Sequence, residues 1–383
     1  MHKAINRSKS ALLHKRCGKN ITIRVKKTLK TAFLYIGTLI GAGFSSGREI
    51  ALFFKNLAPY NVALSAVVMS LFALLFLTAG RLKLLPQGKL VGVSIFFSAS
   101  VSLVAMLAGG EYIMREMTGV PLLCLLMAFL GAVVVSLGIE KIKIVNSILV
   151  PLIVVCIAVI FFKIPHLKGS QPFSILRPIA YGGLDVLLGG IVVSKEGEEM
   201  STRQILGSSL LVCAFLFFML YMLQTIVLYD TNDSLMPVFA ISKDLHLQSI
   251  CGILIASAIF TTLVSSLKIT SDKLILFASS TRFLNSLSKD DNKPIAIMLI
   301  LVVFYPLSFF GFGKIVGTLY PINSVLGMLL ALIVFVKLIV YFVLKTKRKR
   351  LSKSESQNQN SVKIDKQIES AQPSSSSFLG GLK

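Results

Sequence analysis

The chain has 383 residues, 54% of them hydrophobic and 15% charged, with a mean hydropathy of +0.79. That balance describes an integral membrane protein and leaves no room for a large soluble domain. The formal charge of +23 is concentrated in tails and short loops rather than on an aromatic-interleaved patch, so it reads as membrane topology and not as a nucleic-acid surface.

Residues 1–30 hold ten Lys and Arg and no acid. With no small-residue cleavage site before Thr31, they read as a basic cytoplasmic tail rather than a transit peptide. Thr31 to Phe54 is apolar and long enough to cross a bilayer at about 20 residues per span. Its middle, Gly37-Thr38-Leu39-Ile40-Gly41-Ala42-Gly43-Phe44-Ser45-Ser46-Gly47-Arg48-Glu49, is where a helix is weakest. Each glycine disfavours it by about 1 kcal/mol relative to alanine. Backbone freed inside hydrocarbon is tolerated only against protein or a wet cavity, so a break here predicts a ligand site at Gly41, Ala42, Gly43, Phe44, Ser45 and Ser46. The spacing of Gly37 with Gly41, and of Gly43 with Gly47, also fits simple close packing of helices.

Further apolar runs follow at Val62–Gly80, Val91–Met117, Val120–Gly138 and Val145–Phe162, with Pro151 expected to kink the last. Basic turns at Arg81–Lys89 and Lys141–Lys143 mark the cytoplasmic face. A sixth run, Ser174–Ser194, carries Tyr181-Gly182-Gly183-Leu184-Asp185 at its centre, so glycines and an ionisable side chain again interrupt a span. Leu206–Leu228, Ile250–Leu274, Ile295–Phe312 and Val316–Leu344 complete about ten spans. Leu274–Leu287 fits an interfacial helix, the loop Tyr229–Gln248 suits the outer face, and the Ser/Gln/Lys-rich tail from Leu351 fits disorder. The expected fold is therefore all-α and polytopic. It has a first inverted repeat at 31–163, a second at 164–345, the first helix of each broken, and a cytoplasmic tail at 346–383. Paired interruptions in inverted halves point to the binding site of a secondary transporter.

Ionisable side chains inside spans are costly and face a cavity or a partner. Asp185 lies deepest and either holds a proton or an amine or caps helical amides within the break. Arg48, Glu49 and Glu111, nearer span ends, suit an outer gate; a structural ion pair would serve the first two equally. Cys17, Cys124, Cys156, Cys213 and Cys251 show no disulfide or metal spacing and read as packing residues. The four histidines, in tails or loops, complete no catalytic motif, and nothing indicates an enzyme or a cofactor.

The run Tyr35 to Ile50, followed by Phe53-Phe54, resembles the first-helix signature of the YkvI-like bacterial membrane proteins. That group is related to the amino acid/polyamine/organocation (APC) superfamily and its LeuT-type fold. The resemblance covers about residues 30–345 and neither tail. It implies a solute site between the broken first and sixth helices and the third and eighth, with Tyr112 and Tyr181 as lining candidates; interface anchoring would explain those tyrosines too. It also implies a sodium site made by backbone oxygens around Ile40 and Gly43 with Thr261, Thr262, Ser265 and Ser266, although such hydroxyls commonly bond their own helix. The fifth span has no lysine to replace that ion. The expected function is sodium-coupled transport of a small solute, an amino acid or similar zwitterion, across a bacterial plasma membrane with both termini cytoplasmic. The alternative is a non-transporting receptor or scaffold on the same fold.

Overall fold

A computed structural model describes residues 25–55, 57–86, 88–137, 140–165, 172–278 and 293–371. These residues are helical with no strand among them, as hydrocarbon requires of a chain whose backbone must satisfy itself. In chain order the helices are α1 (25–39), α2 (Ala42–Ser46), α3 (Arg48–Phe54), α4 (Pro59–Arg81), α5 (Lys89–Thr118), α6 (Leu123–Leu137) and α7 (Glu140–Lys163). There follow α8 (Leu176–Asp185), a π-turn (Val186–Gly190), α9 (Ile191–Gly197), α10 (Thr202–Tyr229), α11 (Pro237–Asp244), α12 (Gln248–Ala278), α13 (Lys293–Ser308) and α14 (Phe312–Ala371).

Six stretches are long and apolar enough to cross a membrane: α4, α5, α8 through α9, α10, α12, and α14 as far as Arg348. Apolar segments at Leu123–Leu137, Ile148–Lys163 and Pro294–Ser308 are shorter. The first apolar region is none of these, because it is cut into α1, α2 and α3. Large apolar side chains such as Phe129, Phe162, Phe218 and Val302 are exposed all round the bundle, the surface expected of a protein whose solvent is lipid.

The chain forms two compact units, residues 1–334 and 335–383. In the first, α5 packs most extensively on α12, and α4 on α10 and α9. Very close backbone approach makes the α4–α9 contact possible: a Cβ on Gly80 would lie 1.8 Å from the Ser194 carbonyl oxygen, and one on Gly197 would lie 2.2 Å from that of Leu77. The ends of the bundle are tied by side chains. At one end Lys27 pairs with Glu199 at 2.7 Å and Arg81 donates to Thr202. At the other, Lys55 pairs with Asp233 and Lys243 with Glu116. The Lys27 ammonium holds the Glu199 carboxyl below its ordinary range, as Lys55 does for Asp233.

Several elements differ from expectation. The sixth apolar run is not unwound: it stays helical through a π-turn. Its glycines serve packing, since a Cβ would meet Phe72 at Gly182, the Ser324 carbonyl oxygen at Gly183 and Phe76 at Gly190. The loop after α10 contains α11, begun by Pro237 at its first turn. Helix α14 runs on to Ala371 through residues expected to be disordered, with Lys, Arg, Gln and Glu favouring helix and no Pro or Gly from 345 to 371 to stop it. Cys156 and Cys251 are not merely packing residues: they form a disulfide joining α7 to α12, with Cα atoms 6.6 Å apart across 95 residues of chain. Cys124 and Cys213 are free. Cys17, the tail 1–24 and most of the expected interfacial helix lie outside the described residues, although residues 274–278 of that segment simply continue α12.

Gly37, whose spacing with Gly41 also fits close helix packing, has nothing within 4 Å of the Cβ position. Gly80→Ala is expected to destabilise the protein by about 1–3 kcal/mol through overpacking. Gly37→Ala should leave it unchanged or up to about 1 kcal/mol more stable. Thermal unfolding in detergent compares the two, and equal losses would contradict the packing described.

Candidate functional site

The first helix ends because its chain turns extended. The Ile40 N–H bonds the Ile36 carbonyl at 2.9 Å, and the Gly41 N–H then reaches back only to Leu39. Gly41 adopts an extended conformation (φ −96°, ψ −168°) and no side chain caps α2. A second interruption follows at Gly47, whose φ of 78° lies in the left-handed region that favours glycine. Three helix pieces thus meet within about ten residues, and each end leaves backbone groups without helical partners. Part of the deficit is met by Gln224 of α10, fully buried, which donates to the Phe54 and Leu57 carbonyls at 3.3 and 2.7 Å.

A cavity of about 90 Å³ opens beside the first interruption. Thr38, Gly41, Ala42 and Gly43 form one wall, and Leu184, Asp185 and Leu188, at the start of the π-turn, form another. Helix α5 contributes Ser98 and Ser102, α12 contributes Thr262, and α14 contributes Tyr320 and Asn323. Glu49 lies in the wall as well, with the apolar Leu39, Val101 and Met106. Its side chain folds back over Gly43, where a Cβ would lie 2.0 Å from Oε1. The absence of a side chain at Gly43 is what admits the carboxylate.

The polar atoms around this space are unusual. Glu49 is 8% exposed, Asn323 6% and Ser98 1%. Glu49 Oε2, Asp185 Oδ2, Asn323 Oδ1 and Ser98 Oγ are buried and have no hydrogen-bond partner. Asn323 instead uses its amide N–H to donate to the Leu184 carbonyl at 3.4 Å. No Lys, Arg or His lines the cavity. Buried polar groups are normally paired, and a buried carboxylate more strictly so.

A second cavity, of about 230 Å³, is lined by Arg48, Lys55, Asp230, Asp233 and Ser234. Here the Lys55 and Asp230 groups are satisfied, while Arg48 Nε is buried without a partner. Asp230 accepts from the Ser234 N–H at 2.8 Å and hydroxyl at 2.9 Å, and Lys55 donates to the Asp230 carbonyl at 2.8 Å. Arg48 and Glu49, adjacent in sequence, therefore face different cavities, as neighbours on a helix must.

The structure brings together Gly41, Ala42, Gly43, Asp185 and Thr262 around the smaller cavity. Other expected site residues lie elsewhere. Phe44 is fully buried in packing, and Ser45 and Ser46 donate to the Ala42 and Gly43 carbonyls of their own short helix. Ile40 lies just outside the lining, in the linker between α1 and α2. Tyr181 is buried against Phe53 and Phe54, with ring centroids 5.4 and 5.1 Å away. Tyr112 lines neither cavity. Glu111 accepts from the Leu122 N–H at 2.8 Å and so closes the α5–α6 turn, where Leu122 takes a φ of 62°. Glu49, expected at a gate, sits in the cavity instead. Thr261 donates to Ala258 and Ser265 to Thr261 of their own helix. Ser266 bonds Ser102 at 2.9 Å and so touches the cavity wall at second hand.

Ser98, Ser102 and Asn323 were not anticipated. Each is a polar side chain within an apolar run, a signal that the sequence does carry.

No protein-family model matches the chain. It is similar to two proteins of Bacillus subtilis (strain 168). One is the uncharacterized protein YyaD, 25% identical over 340 residues that cover 79% of this chain and 94% of YyaD. The other is the uncharacterized membrane protein YkvI, 23% identical over 330 residues that cover 76% of this chain and 90% of YkvI. These similarities support a YkvI-like grouping and, with the helices, a multi-pass membrane protein.

Gln224→Leu keeps the volume but removes the donor to two buried carbonyls. It is expected to cost about 1–3 kcal/mol, seen as a lower melting temperature in detergent; an unchanged transition would mean that the α3 terminus does not depend on this contact.

Proposed function

We propose that the protein is a secondary transporter that moves a small solute by alternating access. One observation carries this reading: the cavity lies where an interrupted helix meets a π-turn, the position at which freed backbone groups in a membrane bundle serve a ligand. The six long apolar stretches, the three shorter segments and the broken first region give ten crossings if each one spans. In a five-plus-five division, α4 and α5 correspond to α10 and α12. The pairs that pack most extensively, α5 with α12 and α4 with α10, are those counterparts, which supports an inverted repeat of LeuT type.

The solute we infer is an amino acid or a related zwitterion, and the coupling ion is sodium. Thr262 supports the ion assignment, since its Oγ1 lies 3.5 Å from the position a Cβ would take on Gly41, next to backbone freed by the break. The reading assigns no covalent chemistry and no cofactor. It places the protein in a bacterial plasma membrane with both termini cytoplasmic, consistent with the basic residues Lys27, Arg81, Lys195 and Arg203 around the end that pairs with Glu199.

Reconstitution into liposomes with an imposed sodium gradient tests it. Saturable accumulation of labelled alanine or a similar small solute is expected, at least tenfold reduced by Thr262→Val and unaffected by Ser265→Ala. Solute binding with no flux above protein-free liposomes would replace the transporter with a receptor on the same fold.

A further inference from the structure

We propose that Lys345, Lys347, Arg348 and Arg350 form a collar on α14 that binds the phosphates of anionic phospholipids, and that this binding keeps the helix continuous beyond the bilayer. This role requires α14 to cross the membrane, for which its apolar stretch is long enough, and is independent of the transport reading.

The charge begins where the apolar surface stops. Phe342, Val343 and Leu344 are exposed apolar side chains, and residues 345–350 then read Lys-Thr-Lys-Arg-Lys-Arg. Lys345, Lys347, Arg348 and Arg350 are all exposed, and none forms an ion pair or a side-chain hydrogen bond among the described residues. The Lys345 ammonium lies 5.8 Å from the ring centroid of Tyr341, a residue type that anchors helices at the membrane interface. The imbalance is local. From Leu351 to Ala371 the lysines Lys353, Lys363 and Lys366 are matched in number by Glu355, Asp365 and Glu369.

Geometry selects the occupant. With about 100° between successive residues, the four side chains leave the axis at about 0°, 140°, 200° and 300° and so surround the helix. A soluble polyanion docking on one face reaches only part of such a ring, whereas headgroups enclose a helix that passes through them. Depth agrees, since residues 345–350 rise about 8 Å along the axis and the headgroup layer on each side of the hydrocarbon is roughly 5–8 Å thick. Lysine and arginine both bind phosphate, arginine with two parallel hydrogen bonds. A negative lipid surface attracts a basic cluster set directly beside a span.

The collar also bears on the helix itself. Lys345 with Arg348, and Lys347 with Arg350, are like-charged neighbours three residues apart, and such pairs weaken a helix in water. Helices in proteins draw most of their stability from packing of an apolar face, which this polar stretch lacks. The helix is nevertheless intact through the collar, where the Thr346 hydroxyl donates to the Phe342 carbonyl at 2.9 Å. Phosphates set among the cations remove the repulsion, so the charge of the lipid and the helicity of the tail are coupled.

The test places the full chain in nanodiscs of phosphatidylcholine, alone or with one third phosphatidylglycerol, and follows amide hydrogen exchange over residues 346–371. Exchange is expected to be at least tenfold slower with phosphatidylglycerol, and high salt is expected to abolish the difference by screening exposed charge. Changing Lys345, Lys347, Arg348 and Arg350 together to Gln, itself a good helix former, is expected to give fast exchange in both lipids. Changing the exposed Lys83, Lys89, Lys195 and Arg203 to Gln removes the same charge elsewhere and is expected to keep the difference. If the collar variant does not insert, the salt dependence of the unaltered chain decides.

Equal exchange in the two lipids overturns the proposal, as does a difference that high salt leaves intact. A loss in the control as large as in the collar variant also overturns it, because the effect would then follow net charge alone. So does inorganic phosphate or poly-glutamate that slows exchange in phosphatidylcholine as much as phosphatidylglycerol does, which would make the collar a site for soluble anions. Solute flux in liposomes bears on none of these outcomes.

Discussion

In hydrocarbon no water stands ready to accept a stray backbone hydrogen bond, and this constraint governs everything around the first apolar region. The chain abandons helix at Gly41 and again at Gly47, and each departure exposes amides and carbonyls that have to be met from elsewhere in the fold. At the far end of α3, Gln224 reaches across from α10 to the Phe54 and Leu57 carbonyls. The side chains of Ser45 and Ser46 turn inward to their own helix. The broken helix thus depends on the bundle that surrounds it.

The two cavities divide the charged residues by function. Around the larger cavity Lys55 pairs with Asp233 and donates to the Asp230 carbonyl, a mixed-sign arrangement suited to holding elements together while remaining breakable, and Arg48 lies beside it with a buried Nε that has no partner. Glu49, buried, and Asp185, half-buried, are both acids, and each has one buried oxygen without a hydrogen-bond partner. A single helical step between residues 48 and 49 sends one side chain to each.

Hydropathy made the helices legible, because lipid leaves only helix or closed barrel for a long apolar run. The first interruption was legible too, from glycine density within a span. The same argument failed at Tyr181 to Gly190, where glycine permits close neighbours rather than unwinding: Gly182 accommodates Phe72 and Val68, and Gly189 accommodates Thr38. Glycine alone does not distinguish a broken backbone from a crowded one. Asp185 stands out because ionisable groups are rare in spans, and Thr262 enters through the family resemblance; Asn323 and Ser98 are polar residues in apolar runs that neither argument singles out. Glu49 was assigned to a gate because sequence position suggests depth but says nothing of direction; its side chain turns back along the chain to lie over Gly43. The disulfide was invisible for a related reason, since 95 residues separate Cys156 from Cys251 and only the packing of α7 on α12 brings them together.

The π-turn at Val186–Gly190 also has an implication for how this sequence can vary. Successive residues of a helix are offset by about 100° around its axis. Adding or removing one residue between Asp185 and Ile191 would therefore rotate everything on one side of the turn against the other. Either Asp185 would leave the cavity, or Gly197 would lose its place against the Leu77 carbonyl and present a side chain there. Substitutions in this stretch alter one contact at a time, but a change in its length would misalign the acid on one side or the tight helix contact on the other. The chemistry of the cavity and the packing of α9 on α4 are thus tied to a single count of residues.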